Sequence, residues 1–210
     1  MKKGYFITLE GLDGVGKSSQ ASWLSDYLRQ NGRSVTATRE PGGTSYGEQL
    51  RSFFLNLDIC VEAELFLIFS IRIQHVYEKI LPALTLGRDV VCERFMDATY
   101  AYQSGGRGMS YQRISAIEQN LYLPAVDLTF FLDAPIDILR KRLNIKLSDR
   151  FELQKDDFFS RVRDVYQRRI SEDPSRFVVV DASQSVDSIR RIMSTVLVDR
   201  GVIPSTVTSG

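Results

Sequence analysis

Residues 5–20, YFITLEGLDGVGKSSQ, restrict the fold of this chain more than any other stretch of it. A short β-branched and aromatic run meets three glycines, a lysine and two serines. Gly11, Leu12, Asp13, Gly14, Val15, Gly16, Lys17 and Ser18 complete the spacing G-x-x-x-x-G-K-[ST], and Ser19 leads on into a helical pattern. Glycine, lacking a Cβ, lets backbone N–H groups turn inward around a phosphate. The following helix points its positive end at the same phosphates. In such a loop Lys17 bridges the β- and γ-phosphates and Ser18 ligates Mg²⁺. An ordinary glycine turn with a surface lysine is the bland alternative, and the strand before and helix after argue against it. The loop predicts binding of a nucleoside triphosphate without saying what is done with it.

The rest of the chain repeats this strand–helix rhythm. Apolar runs at residues 5–9, 35–38, 90–92, 128–132 and 177–180 alternate with helical patterns near 17–31, 45–56, 61–86, 96–103, 111–122, 135–145, 155–172 and 185–200. Nearly continuous apolar strands imply burial on both faces, hence a parallel sheet. The expected fold is a three-layer, doubly wound α/β domain of the P-loop NTPase type, with a five-stranded parallel sheet flanked by helices. No linker divides it, so residues 1–200 read as a single domain and 201–210, GVIPSTVTSG, as a loose tail. The net charge of +1 gives no electrostatic case for nucleic acid or a membrane surface. Cys60 and Cys92 lack metal-type spacing and read as reduced, buried thiols. With no pattern of a membrane span or signal peptide, the expected location is the cytoplasm.

Three classes of protein use such a loop: a small-molecule kinase, a GTPase switch, and an ATPase motor or assembly factor. A guanine reader of the N-K-x-D type has only a near miss, NIKL at 144–147, after a helical pattern. The third apolar run ends VVCER, where Glu93 is followed at once by Arg94. An arginine there suits a second anionic substrate better than a water nucleophile. A kinase must neutralise phosphates on both sides of the transferred group. Arg39, ending the second run in TREPGGT, and Arg94 would both sit at carboxyl ends of strands, the ligand-binding edge of an open α/β sheet. Arg72 shares a helical face with Ile68, Phe69 and Val76, so it faces either a cleft with a polar ligand or an internal ion pair. Phe69 on that face reads as a ring to stack on a planar base or as a core residue.

Together these residues resemble the thymidylate kinase family, the ATP-dependent dTMP kinases of the nucleoside monophosphate kinase group. The match runs from about residue 5 to residue 195 through FITLEGLDGVGKSSQ, TREPGGT, RIQ at 72–74, VVCERFMDATYAYQSGGRG, DRFE at 149–152 and VVVDAS at 178–183. The second and fourth of these segments are more specific than the glycine loop. The resemblance implies phosphorylation of dTMP to dTDP with ATP as donor and Mg²⁺ as cofactor, by a homodimer joined through helices. It implies that Arg39 and Arg94 clamp the acceptor 5′-phosphate, a task that bidentate guanidinium contacts suit. Asp13 would accept a hydrogen bond from the sugar 3′-hydroxyl, and Arg72 would reach the thymine O4 edge. Gln103 would help frame the base, Thr99 would join the substrate contacts, and Tyr102 would lie under the sugar with no room for a 2′-hydroxyl. Glu93, with Ser18, would organise Mg²⁺. Residues 142–152, RLNIKLSDRFE, look like the family's lid and offer Arg142, Lys146 and Arg150 to the transferred phosphoryl group. Residues 181–184, with Ala182, Ser183 and Gln184, would border the adenine.

The chain departs from the family pattern in places. Glu93 stands where the family has aspartate and reaches one methylene further. Ile68 stands four residues before Arg72, where the family places its stacking phenylalanine, and Phe69 is one step away. Gly14 replaces the loop arginine of some members, an arrangement that goes with a catalytic arginine in the lid. Lys146 does not copy an arginine's planar fork.

Overall fold

The computed structural model describes residues 4–142, 151 and 154–204. Across them the apolar runs become five parallel strands, β1 (Phe6–Glu10), β2 (Val35–Arg39), β3 (Asp89–Glu93), β4 (Leu128–Asp133) and β5 (Phe177–Asp181), in the order β2-β3-β1-β4-β5. The central strands β1, β3 and β4 are buried almost throughout, whereas β2 and β5 form partly exposed edges. Continuous hydrophobicity in the centre is the pattern of a sheet covered on both faces. A polar residue survives there only with a partner: Thr8 and Thr129 hydroxyls meet at 2.8 Å between β1 and β4.

Register brings the functional strand ends level. Leu9 of β1 and Arg39 of β2 both pair with Glu93 of β3. The strand order reverses direction at β1, which opens a crevice beyond the carboxyl ends of β1 and β3.

The helices follow the expected pattern: α1 (Lys17–Gln30), α2 (Ser45–Asn56), α3 (Val61–His75), α4 (Leu81–Thr85), α5 (Met96–Thr99), α6 (Tyr111–Gln119), α7 (Ile136–Arg142), α8 (Asp156–Glu172) and α9 (Val186–Asp199). Gly32 stops α1 in a left-handed conformation (φ 78°), with its N–H donating to Arg29 O and that of Arg33 to Leu28 O. A wider π-helical turn, Val76–Ile80, joins α3 to α4, so the helix expected at 61–86 is one rod. Pro82 sits in the first turn of α4. A second π segment, Tyr100–Gly106, prolongs α5 and carries Tyr102 and Gln103. Such turns re-aim side chains relative to a regular helix.

The buried residues form one contiguous cluster, which includes Phe6, Leu24, Cys92, Phe130, Phe131 and Tyr166, whereas Cys60, expected to be buried, is exposed. It extends past α9: Val202 and Ile203 are buried, and the Val202 N–H donates to Leu197 O. Residues 201–204 therefore correct the expectation of a tail that loosens at 201, because two apolar side chains fold back onto the core. Most of the expected lid, with Lys146 and Arg150, and residues 205–210 lie outside the described residues.

One ion triad pins α8 to the layer beneath the crevice. Asp97, 2% exposed, accepts from Arg169 Nε at 2.9 Å and from Arg176 Nη1 at 2.7 Å. Burial opposes ionisation of Asp97, but the two guanidinium groups prevail and hold its carboxyl below the usual range. Removing the acid strands two cations. Asp97→Ala is expected to lower the unfolding free energy by about 3 kcal/mol, measured by denaturant titration with the same m-value.

Candidate active site

The glycine loop takes its shape from three left-handed residues, Gly11, Gly14 and Gly16 (φ 139°, 78° and 99°). A Cβ on Gly11 would lie 2.3 Å from Leu132 O, so only glycine lets β1 turn here against β4. Gly16 precedes α1 without a side-chain cap, which leaves the first-turn N–H groups of α1 directed at the crevice. Lys17 is buried, and its Nζ donates to Leu12 O at 2.7 Å and lies 3.7 Å from Asp13 Oδ1. Burial, and then the nearby Arg94 cation, push its pKa down to about 8.

Arg94 follows β3 directly and adopts φ 65°, the left-handed region that L residues disfavour. Its guanidinium donates to Gly11 O at 3.0 Å, Asp13 Oδ1 at 2.5 Å, Tyr102 Oη at 3.0 Å and Tyr166 Oη at 3.3 Å. It also lies 4.7 Å from the Tyr102 ring centre. The Tyr102 hydroxyl donates to Asp13 Oδ2 at 2.7 Å and closes the triangle. Burial would raise the Asp13 pKa, but Arg94 and Lys17 outweigh it and bring the carboxyl to about 2. Behind Arg94, Glu10 accepts from Phe95 N–H at 2.7 Å and Tyr166 Oη at 2.8 Å. Burial, reinforced by the Asp97 charge, pushes Glu10 up to about 7.

Asp13, Arg39, Arg72, Glu93, Arg94, Thr99, Tyr102 and Gln103 all line one cavity beside the loop. Glu93 and Ser18 also line the open groove next to it. Arg39 is half exposed and donates to Glu48 Oε2 at 2.7 Å. Arg72 makes the internal ion pair of one sequence reading and borders a cleft as well. It lines the cavity at 1% exposure and pairs with Glu40, which accepts from Nε at 2.7 Å. Glu40 is pinned in turn by His75 Nδ1 at 3.0 Å, while His75 Nε2 meets Thr38 Oγ1 at 2.7 Å. Gln103 donates from Nε2 to the buried Glu64 at 3.0 Å. The Thr99 hydroxyl is buried without a partner among the described residues.

Two expected placements change. Phe69 does not line this cavity; Ile68 does, sharing its face of α3 with Arg72 one turn on. One residue is about 100° of helix rotation, which carries Phe69 round to a groove with Tyr46, Phe66 and Ile73. The aromatic rings that do line the cavity include Phe54 of α2 and Phe151, stacked with centres 5.5 Å apart. Arg142 ends α7 and donates to Ala182 O at 3.1 Å, which joins it to the residues after β5 and not to the two arginines at the strand tips. There Ser183 and Gln184 cap Asp181. Glu40, Glu64, Phe54 and Phe151 were not singled out from the sequence. For Glu40 a signal existed: a buried Arg72 demands an acid, and alternation along REP puts Glu40 opposite Arg39.

A parallel sheet with a phosphate loop after β1 and guanidinium groups gathered at the tips of β2 and β3 defines a P-loop phosphotransferase. The family model described as thymidylate kinase matches residues 9–192. The chain is 47% identical to the thymidylate kinase of Bordetella petrii over 191 residues, covering 90% of this chain and 92% of that protein. It is 44% identical to that of Thiobacillus denitrificans over 200 residues, covering 93% and 97%. The crystal structure of thymidylate kinase from Ehrlichia chaffeensis superposes with a TM-score of 0.75 at 29% identity, covering 93% and 98%. The chain belongs to the thymidylate kinase family.

The raised pKa of Glu10 has a measurable consequence. Between about pH 4.5 and 7 the folded chain keeps a proton that the unfolded chain has lost. Raising pH through that window therefore lowers stability, by at most about 1.4 kcal/mol per pH unit from this one group. Glu10→Gln is expected to flatten that slope, read as unfolding free energy against pH from 5 to 8 for both proteins.

Proposed function

We propose that this chain transfers the γ-phosphoryl group of ATP to the 5′-phosphate of dTMP, giving dTDP and ADP. The position of Arg94 carries the reading: one guanidinium lines the acceptor cavity while bonding Gly11 and Asp13 of the phosphate loop. A water-attacking ATPase or a switch has no use for a second cationic pocket joined to the loop in this way. The loop amides from Gly11 to Ser19 and Lys17 hold the donor's β- and γ-phosphates. Arg94 and Arg39 hold the acceptor phosphate in line with them. Its attacking oxygen is already ionised, so catalysis is positioning plus neutralisation of charge as the phosphoryl group moves.

Asp13, held ionised, takes the sugar 3′-hydroxyl, and Tyr102 beside it excludes a 2′-hydroxyl. Arg72 reads O4 of the base, with Gln103 and Thr99 on the same wall, and Phe54 and Phe151 flank the ring. Ala182, Ser183, Gln184 and Arg142 border the adenine. The lid, 142–152, supplies a further cation to the transferred group, with Arg150 and Lys146 as its candidates. The hydroxyl of Ser18 and the carboxylate of Glu93 line one crevice and are the hard oxygen donors that Mg²⁺ takes alongside phosphates and water. Bound there, the ion would neutralise phosphate charge. Among the described residues no group of three or more acidic, His or Cys side chains could hold a metal by itself, consistent with a site completed by the nucleotide.

The enzyme works as a homodimer in the cytoplasm, with residues 1–200 as one catalytic domain. In support of the dimer, Tyr46, Phe66 and Ile73 are exposed and line one apolar groove across α2 and α3, which a second copy would cover. No helix among the described residues is long and apolar enough to cross a membrane.

A coupled ADP-release assay with ATP and each of dTMP, dUMP, dCMP, dGMP and UMP tests the reaction. dTMP is expected to be the preferred acceptor and UMP the poorest pyrimidine. Equal rates with every acceptor, or with none, would refute the reading, and a preference for another monophosphate would make the chain a different nucleoside monophosphate kinase. Lys17→Ala is expected to lower kcat by about 10²-fold or more with a cooperative melt retained. A near-normal kcat would remove Lys17 from the donor site.

A further inference from the structure

We propose that Glu64 is a positioning residue that sets the base selectivity of the acceptor cavity by fixing which end of the Gln103 amide faces it. The proposal rests on the reading of the cavity as a pyrimidine nucleotide site. Glu64 lies in the first turn of α3 and is fully buried. Its Oε1 accepts from Gln103 Nε2 at 3.0 Å, and its Oε2 lies 3.2 Å from Arg107 Nε. A carboxylate only accepts hydrogen bonds. It therefore selects the NH₂ end of the amide and leaves the carbonyl end of Gln103 for the cavity that this side chain lines.

Arg72, on the same wall, offers donors alone. Its Nε and Nη2 are taken by Glu40 and Phe95 O, whereas Nη1 meets the thioether of Met96, a weak acceptor. The cavity thus presents one donor beside one acceptor. That pair complements a pyrimidine with O4 and N3–H, as in thymine and uracil. It opposes cytosine, whose amino group would face Arg72 and whose N3 lone pair would face the Gln103 carbonyl. Without Glu64 the amide could turn over and accept either base. A site built to hydrogen-bond one pattern rejects the other because buried polar groups are left unpaired.

The test compares kcat/KM for dTMP, dUMP and dCMP in the unsubstituted enzyme, Glu64→Gln and Glu64→Met. The dTMP:dCMP ratio is expected to fall about tenfold or more in both variants. The dTMP:dUMP ratio, which reports only the methyl group, should stay within about twofold. An unchanged dTMP:dCMP ratio in either folded Glu64 variant would overturn the proposal. So would a parallel shift of both ratios, or failure of both Glu64 variants to fold, each of which makes Glu64 a structural residue. If the unsubstituted enzyme does not phosphorylate dTMP, the underlying reading fails; if it prefers dTMP and the variants do too, only the role of Glu64 fails.

Discussion

The bond between Arg94 and Asp13, 2.5 Å long, joins the two halves of this site, and most of the local architecture serves to place it. Arg94 follows β3 in a left-handed conformation, which costs an arginine on the order of 1–3 kcal/mol. Several contacts hold it there: its own N–H on Leu9 O, and the next N–H, that of Phe95, on Glu10. The turn sends the guanidinium back across the tip of β1, under the glycine loop, and not along the strand direction toward solvent. Had β3 continued extended, Arg94 would alternate away from Glu93 and leave the crevice without its central cation.

Three of the polar groups that face the cavity are each backed by an acid. Arg94 has Asp13 beside it and Glu10 behind its turn, Arg72 has Glu40, Gln103 has Glu64, and the segment between them rests on Asp97 with its two arginines. Buried ion pairs add little net stability compared with apolar packing, because desolvation cancels most of their attraction. Their value here is directional. A carboxylate fixes the plane of a guanidinium and the sense of an amide, which hydrophobic contact cannot do. The same reasoning accounts for His75, the chain's sole histidine, at full burial: it spans Thr38 and Glu40 and keeps the acid aimed at Arg72.

Local spacing carried the phosphate loop, and nearly continuous apolar runs carried the sheet, so both were legible in the sequence. The apolar runs stopped short of the strands at their functional ends. Arg39, Glu93, Asp133 and Asp181 are still paired in the ladder, yet a hydrophobicity pattern cannot register a polar side chain whose backbone remains in the sheet. Helix phase was less legible. Ile68 and Phe69 are both apolar, and only the packing of α3 against α2 decides which one meets the cavity. The buried acids were hardest to see, since Glu40 and Glu64 meet their partners across 32 and 39 residues of chain. Composition cannot tell such an acid from a solvated one.

The distribution of charge also explains why a chain of net charge +1 can hold two polyanions. The cations proposed to meet phosphate are concentrated at one edge of one sheet. Of the acids near them, Glu10 lies behind the turn of Arg94, whereas Asp13 and Glu40 line the cavity beside the cations they pair with. Burial lowers the dielectric around these pairs and strengthens each of them. Lys17 shows the limit of the scheme. It leans on Leu12 O at 2.7 Å and reaches Asp13 only at 3.7 Å, and its pKa falls to about 8, so a phosphate at the loop would restore to it the charge that burial opposes. On the proposed reading, donor binding and protonation of Lys17 would favour one another.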